Sequence, residues 1–389
     1  MEKVMVSIIM PSLNVVSYIR QCMDSVISQT LQEIEIICVD AGSTDGTLEI
    51  LEEYAEKDSR ISIINSDKKS YGYQMNLGMD AAKGRYMGIV ETDDYIDPDM
   101  FYSLFSCAEK DSLDVVKSGF FYYYSKPEDR NIRSPITSYV LSQEVFCPRV
   151  YFDSPMEQAE FYNIKPTIWS AIYNLDFLRK EGIRFNETPG ASFQDCSFNF
   201  KVFSLAKYVR LVEDCYYHYR QDNENSSINS SGKMYCVSDE YTEIEKFLNE
   251  RPMLMEPMAG IMCRLKYDSY IWNYERLSEP LQREFIKFAS EDFARDMSSG
   301  YCNKKYFPWY KWNTLKWIIK EPEEYHKYRI ALSKKETFNE AEFAALNESE
   351  KLFDKLKRGT KKILTYLQIF GLRVTIKKAL RKIRKKMEK

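Results

Sequence analysis

Histidine is nearly missing from this 389-residue chain, which contains only His218 and His326. Two histidines cannot build a His-rich metal centre, and they leave little room for Ser-His or Cys-His nucleophilic schemes. The nine cysteines include no Cys-x-x-Cys pair, so neither a zinc ribbon nor a thioredoxin-like motif is expected. Cys38 beside Val39 and Cys263 beside Met262 sit among apolar residues, which reads as reduced, buried, cytosolic cysteine rather than a disulfide framework. No apolar run approaches the roughly 18 residues that span a bilayer. The first strand is expected from residue 4, so no secretory leader is expected before it. A Gly-x-Gly-x-x-Gly turn after that strand is absent, as is a Gly-x4-Gly-Lys-Ser/Thr loop. Both absences argue against a dinucleotide dehydrogenase and a P-loop site.

Tyrosine, by contrast, is abundant, with 29 residues in an aromatic content of 14%. That is enough to line sugar- or base-stacking surfaces, although most such rings serve a core. Net charge is only −3 but is unevenly spread. Residues 351–389 hold 15 Lys/Arg against 2 Asp/Glu, and the rest of the chain holds 40 against 56. An acidic body with a basic tail bears on partners rather than on fold. The length exceeds one ordinary core, so several domains are expected.

Val4–Met10 reads as a strand stopped by Pro11, with a turn at Asn14. Residues 17–30 show helical spacing through Ile19, Met23, Val26 and Ile27. A second strand, Ile34–Val39, ends at Asp40 in Asp40-Ala41-Gly42-Ser43-Thr44-Asp45-Gly46. A helix over 47–57, a strand over 61–64, a helix over 73–83 and a strand over 86–90 complete the alternation. Such a series predicts a mostly parallel, doubly wound α/β sheet, in which ligands bind at the carboxyl ends of the strands. Pro11–Asn14, Asp40–Gly46 and Glu91–Asp94 all fall there. Residues 106–235 read as mixed α/β, with a strand near 115–124 and an irregular stretch over 125–138. Residues 236–345 read as mainly helical.

The stretch with the most chemistry is Tyr86–Val90 running into Glu91-Thr92-Asp93-Asp94, with Pro98 barring further strand. Three acids this close repel one another unless a cation sits among them, and hard carboxylate oxygens suit Mg²⁺ or Mn²⁺. By itself, an isolated Glu-x-Asp-Asp reads first as a solvated acidic turn. Tyr73, Gln74 and Asn76 open a helix and could reach a ribose, or simply start that helix. Trp169 could stack on a sugar face or belong to a core.

Val6-Ser7-Ile8-Ile9-Met10-Pro11-Ser12-Leu13-Asn14, Val39–Thr47 and Glu91-Thr92-Asp93-Asp94 occur in order, with Ala82-Lys83-Gly84-Arg85-Tyr86 before the last. Together they resemble family 2 nucleotide-sugar glycosyltransferases of the GT-A fold. The resemblance covers residues 4–105 and continues more weakly to about 230, through Trp169–Tyr173, Phe193-Gln194-Asp195 and Tyr216–Arg220. It implies a nucleotide site built from Pro11, Leu13, Asn14 and Asp40, with Gln74 toward the ribose. Asp93 would hold the ribose or metal side, and Asp94 would ligate the cation that binds the diphosphate. Two departures stand out. Ala41 replaces the second of two adjacent acids, which puts nucleotide identity in doubt. Glu91 replaces the usual aspartate of the metal motif and keeps its charge.

The resemblance also implies a catalytic base at Asp195, where Gln194 replaces a glutamate. By itself Asp195 reads as a first-turn helix acid favoured by the dipole. Arg220 could pair with a phosphate and His218 could add a metal ligand, or both could support packing. The expected organisation is 1–105 for the nucleotide-sugar half, 106–235 for the acceptor half, 236–345 for a helical region and 346–389 for a basic amphipathic tail.

The expected function is inverting transfer of a sugar from a UDP-type donor to a glycan or lipid-linked acceptor in surface polysaccharide synthesis. It would take place on the inner face of a bacterial cell membrane. A nucleotidyltransferase would want a Gly-rich basic loop after the first strand, and Pro11-Ser12-Leu13-Asn14 is not one. A membrane-bound scaffold without activity is the other alternative, opposed by the retained Asp93, Asp94 and Asp195. In residues 351–389, Leu352/Leu356, Ile363/Leu367 and Ile376/Leu380/Ile383 recur at helical spacing among the basic residues. That pattern suits an anionic membrane surface, and no nucleic-acid partner is expected.

Overall fold

The computed structural model describes residues 3–136, 142, 144–191, 193–223 and 234–333. The basic tail over 351–389 therefore lies outside the described residues. The chain divides into two compact units, Met1–Tyr151 with Tyr162–Met262, and Phe152–Phe161 with Cys263–Lys389.

In the first unit, β1 (Val6–Ser12), β2 (Ile34–Asp40), β3 (Ile61–Asn65) and β4 (Tyr86–Ile89) form a parallel block in the order β3-β2-β1-β4. Between them run α1 (Ile19–Ile27), α2 (Thr47–Lys57) and α3 (Tyr71–Ala81). Every residue of β1 and β4, and all but one of β2, is buried. Near-continuous apolar runs of this kind mark parallel strands covered on both faces. Pro11 does not end β1. The strand runs on to Ser12, with Pro11 in register with Val39. The β4 ladder stops at Ile9, so the missing N–H of Pro11 costs no pairing on that side.

Beyond β4 the sheet is mixed. It continues through β8 (Ala171–Asn174), β6 (Val115–Tyr124) and β9 (Val209–Arg220) to β5 (Tyr95–Ile96). β8 is antiparallel to β4 and β6, whereas β6 and β9 are parallel. The stretch expected to be irregular contains β7 (Arg130–Ser134), an antiparallel partner of β6. Its sequence, Arg-Asn-Ile-Arg-Ser, is polar and largely exposed, so no apolar alternation announces it. The unit's helices also include α4 (Met100–Asp111), α6 (Leu175–Lys180), α7 (Gln194–Leu205) and α8 (Cys236–Asn249). The 105/106 boundary falls inside α4, and strands from both sides of it pair in one sheet.

The second unit holds most of α5 (Pro155–Tyr162), the C-terminal part of α9 (Pro252–Arg276), α10 (Glu279–Ser298), α11 (Trp309–Lys320) and α12 (Pro322–Ser333). Residues 152–161 join it rather than the 106–235 region, and the buried Arg264 ion-pairs with Glu160 at 2.8 Å. Cys263 and Cys302 are joined in a disulfide, which corrects the reading of Cys263 as a reduced thiol. The backbone N–H groups of Tyr301 and Cys302 both donate to the Asp296 carbonyl. That turn brings residue 302 back to α9 across 39 positions, a closure invisible in the spacing of cysteines. The seven other cysteines are free.

Candidate active site

The carboxyl ends of β1 and β4 open into a cavity of about 320 Å³ lined by Pro11, Ser12, Leu13, Gln74, Glu91, Asp93, Asp94, Trp169, Asp195 and others. This is where a doubly wound sheet reverses direction, with β2 and β4 on opposite sides of β1.

Each acid is held differently. Glu91 accepts a hydrogen bond from the Tyr71 hydroxyl at 2.6 Å. Burial lifts its carboxyl to about 8, the Tyr71 bond opposes the rise, and the charges of Asp93 and Asp195 add to it. Asp93 Oδ2 accepts from the Asn223 amide at 2.8 Å. Asp94 Oδ1 accepts from the Arg220 backbone N–H at 2.7 Å, whereas its Oδ2 is buried with no hydrogen-bond partner among the described residues. Burial, then the Asp93 charge, drives the Asp94 carboxyl well above the usual carboxylate range.

Asp195 stands in the first turn of α7, after Phe193 at φ 65°. Its Oδ1 is a second buried oxygen without a hydrogen-bond partner among the described residues. Burial raises its carboxyl to about 6, against the first-turn N–H groups and the Lys165 charge. The loop before it is stitched to the start of α3. The Ser70 hydroxyl donates to the Thr188 carbonyl at 2.7 Å and accepts the Tyr73 N–H at 3.3 Å, while Gly190 exchanges backbone bonds with Lys69 and Tyr71. Gly72 faces the Asn186 carbonyl so closely that a Cβ would overlap it, so only glycine permits this join.

Several expected ligand residues have other work. Asp40 does not line the cavity. Its Oδ1 accepts the Gly42 and Ser43 N–H groups at 2.9 and 2.8 Å, and its Oδ2 accepts the Ser12 and Ser43 hydroxyls at 3.0 and 2.6 Å. Asn14, at φ 55°, ties the same loop through the Thr44 N–H. Gln74 lines the cavity, but its amide donates to the Ser12 and Val39 carbonyls and so joins the ends of β1 and β2. Arg220 is buried between Tyr18 and Tyr123; it donates to the Asp93 carbonyl and to Gln21. It braces the acidic turn. His218 is displaced from the metal role altogether. Its ring is stacked between Tyr95 and Phe121, its nitrogens engage Asp97 and Asn131, and it is absent from the cavity lining. The alternation of β9 explains this: Tyr217 and Tyr219 take the cavity side, and His218 takes the opposite one.

Residues that sequence reasoning passed over include Tyr71, Tyr217, Asn223 and Lys117. The Tyr217 hydroxyl accepts the Glu91 N–H at 2.9 Å, and its ring stacks on Trp169 with centroids 4.1 Å apart. Trp169 is thus mostly buried and still lines the cavity. Lys117, buried in β6, donates to the Thr167 carbonyl and hydroxyl and to Ser170, which fixes the turn bearing Ile168 and Trp169. Burial pushes its ammonium down to about 7. The acid-rich turn and Tyr216–Arg220 were readable signals, but no local pattern pointed to Asn223 or Lys117.

The donor set suits a hard divalent cation. A buried carboxylate oxygen on Asp94, without a partner among the described residues, lies beside two more acids, and a bound cation would relieve the repulsion that ionising them together creates.

A sheet of this order with carboxylates gathered at its switch point defines an α/β fold of GT-A type. Residues 7–196 match the family model "Glycosyl transferase family 2", and the domain they build belongs to that family. The chain is 33% identical over 222 residues to "Uncharacterized glycosyltransferase EpsJ" of Bacillus subtilis (strain 168), covering 57% of this chain and 62% of that protein. "Putative glycosyltransferase EpsH" of the same strain is 29% identical over 225 residues, with the same shares covered. The chain therefore spans less than two thirds of the length of these relatives. In fold it is similar to S. aureus TarS 1–349 in complex with UDP-GlcNAc, with TM-score 0.62 and 18% identity over 86% of this chain and 93% of that one.

Proposed function

We propose that this protein is an inverting, cation-dependent glycosyltransferase. It moves a sugar from a nucleoside diphosphate donor, UDP-linked, to a hydroxyl of a glycan or lipid-linked acceptor in surface polysaccharide synthesis. The observation that supports this best is one cavity shared by the Glu91–Asp94 acids and Asp195, in which Asp94 and Asp195 each carry a buried carboxylate oxygen without a hydrogen-bond partner among the described residues. Asp94, with Asp93 and Glu91 beside it, would hold Mn²⁺ or Mg²⁺, which supplies Lewis-acid stabilisation of a departing diphosphate. Pro11, Leu13 and Gln74 border the nucleotide side, and Asp40 shapes that loop from behind. Asp195 takes the proton of the acceptor hydroxyl as its oxygen bonds to the anomeric carbon and the bond from that carbon to the phosphate oxygen breaks. Displacement in one step from the far face inverts the configuration.

A thermal-shift screen of nucleotide sugars with and without Mn²⁺, beginning with UDP-GlcNAc, tests this reading. The folded state raises the carboxyls of Asp195 to about 6 and Glu91 to about 8. The stability that these groups contribute is therefore present at low pH and lost as pH rises through those values. Mn²⁺ is expected to raise Tm more at about pH 8 than at about pH 5.5, because protons compete for the same oxygens. No shift from any donor or cation at either pH would overturn the proposal.

The tail carries a separate part of it. Among the described residues no helix is long and apolar enough to cross a membrane. We place the protein at the inner face of the cell membrane through the basic residues of 351–389. Deleting 351–389 is expected to release the protein from anionic vesicles while sparing transfer to a soluble acceptor analogue. Vesicle binding that is indifferent to salt, or unchanged by the deletion, would contradict it.

A further inference from the structure

Between Asp296 and Glu321 the chain has five lysines, no acid and three of its five tryptophans. The structure sorts these residues cleanly. Tyr306, Phe307, Leu315 and Ile318 are buried in the second unit. Trp309, Asn313, Lys316 and Lys320 are exposed at spacings of four, three and four, which is one stripe of α11. Tyr310 lies beside Trp309, the two rings edge to face, and they are 53% and 56% exposed. Lys304 and Lys305 stand exposed just before the helix. Of the five lysines, Lys311 pairs with Asp268 and Lys320 with Glu321, whereas Lys304, Lys305 and Lys316 make no ion pair among the described residues.

A single exposed aromatic ring is ordinary. Adjacent exposed Trp and Tyr rings, near in sequence to exposed lysines without an ion pair among the described residues, are the chemistry of a lipid headgroup layer: amphipathic rings settle at its boundary and lysines meet its phosphates. Charge argues against two other occupants. Residues 351–389 carry a large positive excess, and the same face of a second copy would set lysine against lysine. We infer that this face of α11, with Lys304 and Lys305, is an interfacial contact for an anionic bilayer surface, distinct from the tail.

The full chain can be tested on phosphatidylcholine vesicles containing about one third phosphatidylglycerol, with bromine placed high on the acyl chains. Residues 351–389 contain no tryptophan, so tail binding alone brings none of its own into the bilayer. Quenching of tryptophan emission is expected, and Trp309→Phe should remove most of it while far-UV circular dichroism stays unchanged. Lys304→Glu/Lys305→Glu should weaken vesicle partitioning at least about tenfold. Protein that pellets with vesicles yet shows the same quenching in Trp309→Phe would overturn the inference. So would a concentration-dependent dimer that Trp309→Ala dissociates, since a second copy would then cover the face. None of these readouts depends on donor or acceptor, so failure here leaves the transferase proposal untouched.

Discussion

Replacing Asp195 with Asn is expected to abolish sugar transfer while leaving nucleotide-sugar binding intact. The substitution keeps the shape of a side chain whose Oδ1 is buried and unpartnered, and it removes the only function proposed for that oxygen, acceptance of the hydroxyl proton. A folded carboxyl raised to about 6 also predicts that kcat/KM for the wild type climbs with pH through that region, as the basic form accumulates. Loss of donor affinity in parallel with turnover would make Asp195 a structural first-turn acid instead. A product that retains the donor's anomeric configuration would contradict displacement in one step. Stability offers a check that does not depend on activity. Burial disfavours the charged carboxylate, so the neutral amide should raise Tm at pH 8 or leave it unchanged.

Asp94→Asn should lower transfer at least about a hundredfold, because an amide surrenders a hard anionic ligand at nearly constant volume. The Arg220 N–H that Oδ1 accepts can be met equally by the amide oxygen, so the turn should hold. Removing the charge also relieves repulsion from Asp93. The variant should therefore be as stable as the wild type without metal, yet show a much smaller Mn²⁺-induced Tm shift. Full activity of Asp94→Asn, or of the wild type in excess chelator, would remove the cation from the proposal.

The parallel half of the fold was legible because its signals are local. Ile8–Met10 and Ile36–Val39 are short apolar runs, rich in β-branched residues, that suit a strand covered on both faces. The loops after them carry polar residues where strands must end. The cluster Glu91-Thr92-Asp93-Asp94 was legible for the same reason, since three acids in four residues are visible without knowing what faces them. β7 was not legible, because its pairing with β6 is made by backbone groups that any polar sequence supplies.

Local sequence determined which acids, which strands and which order along the chain this protein has, together with a split of charge that no folding can change. Tertiary structure alone decided which polar groups remain available. Asp40, Gln74 and Arg220 bear the right chemistry for a ligand, and packing engages each of them within the loop frame, since a buried donor or acceptor left unmet is costly. His218 was excluded by which side of β9 it occupies, a matter of strand register. Asp94 and Asp195 each keep an oxygen that nothing in the described fold satisfies. That remainder depends on contacts between segments more than a hundred residues apart, and no residue type or spacing encodes it.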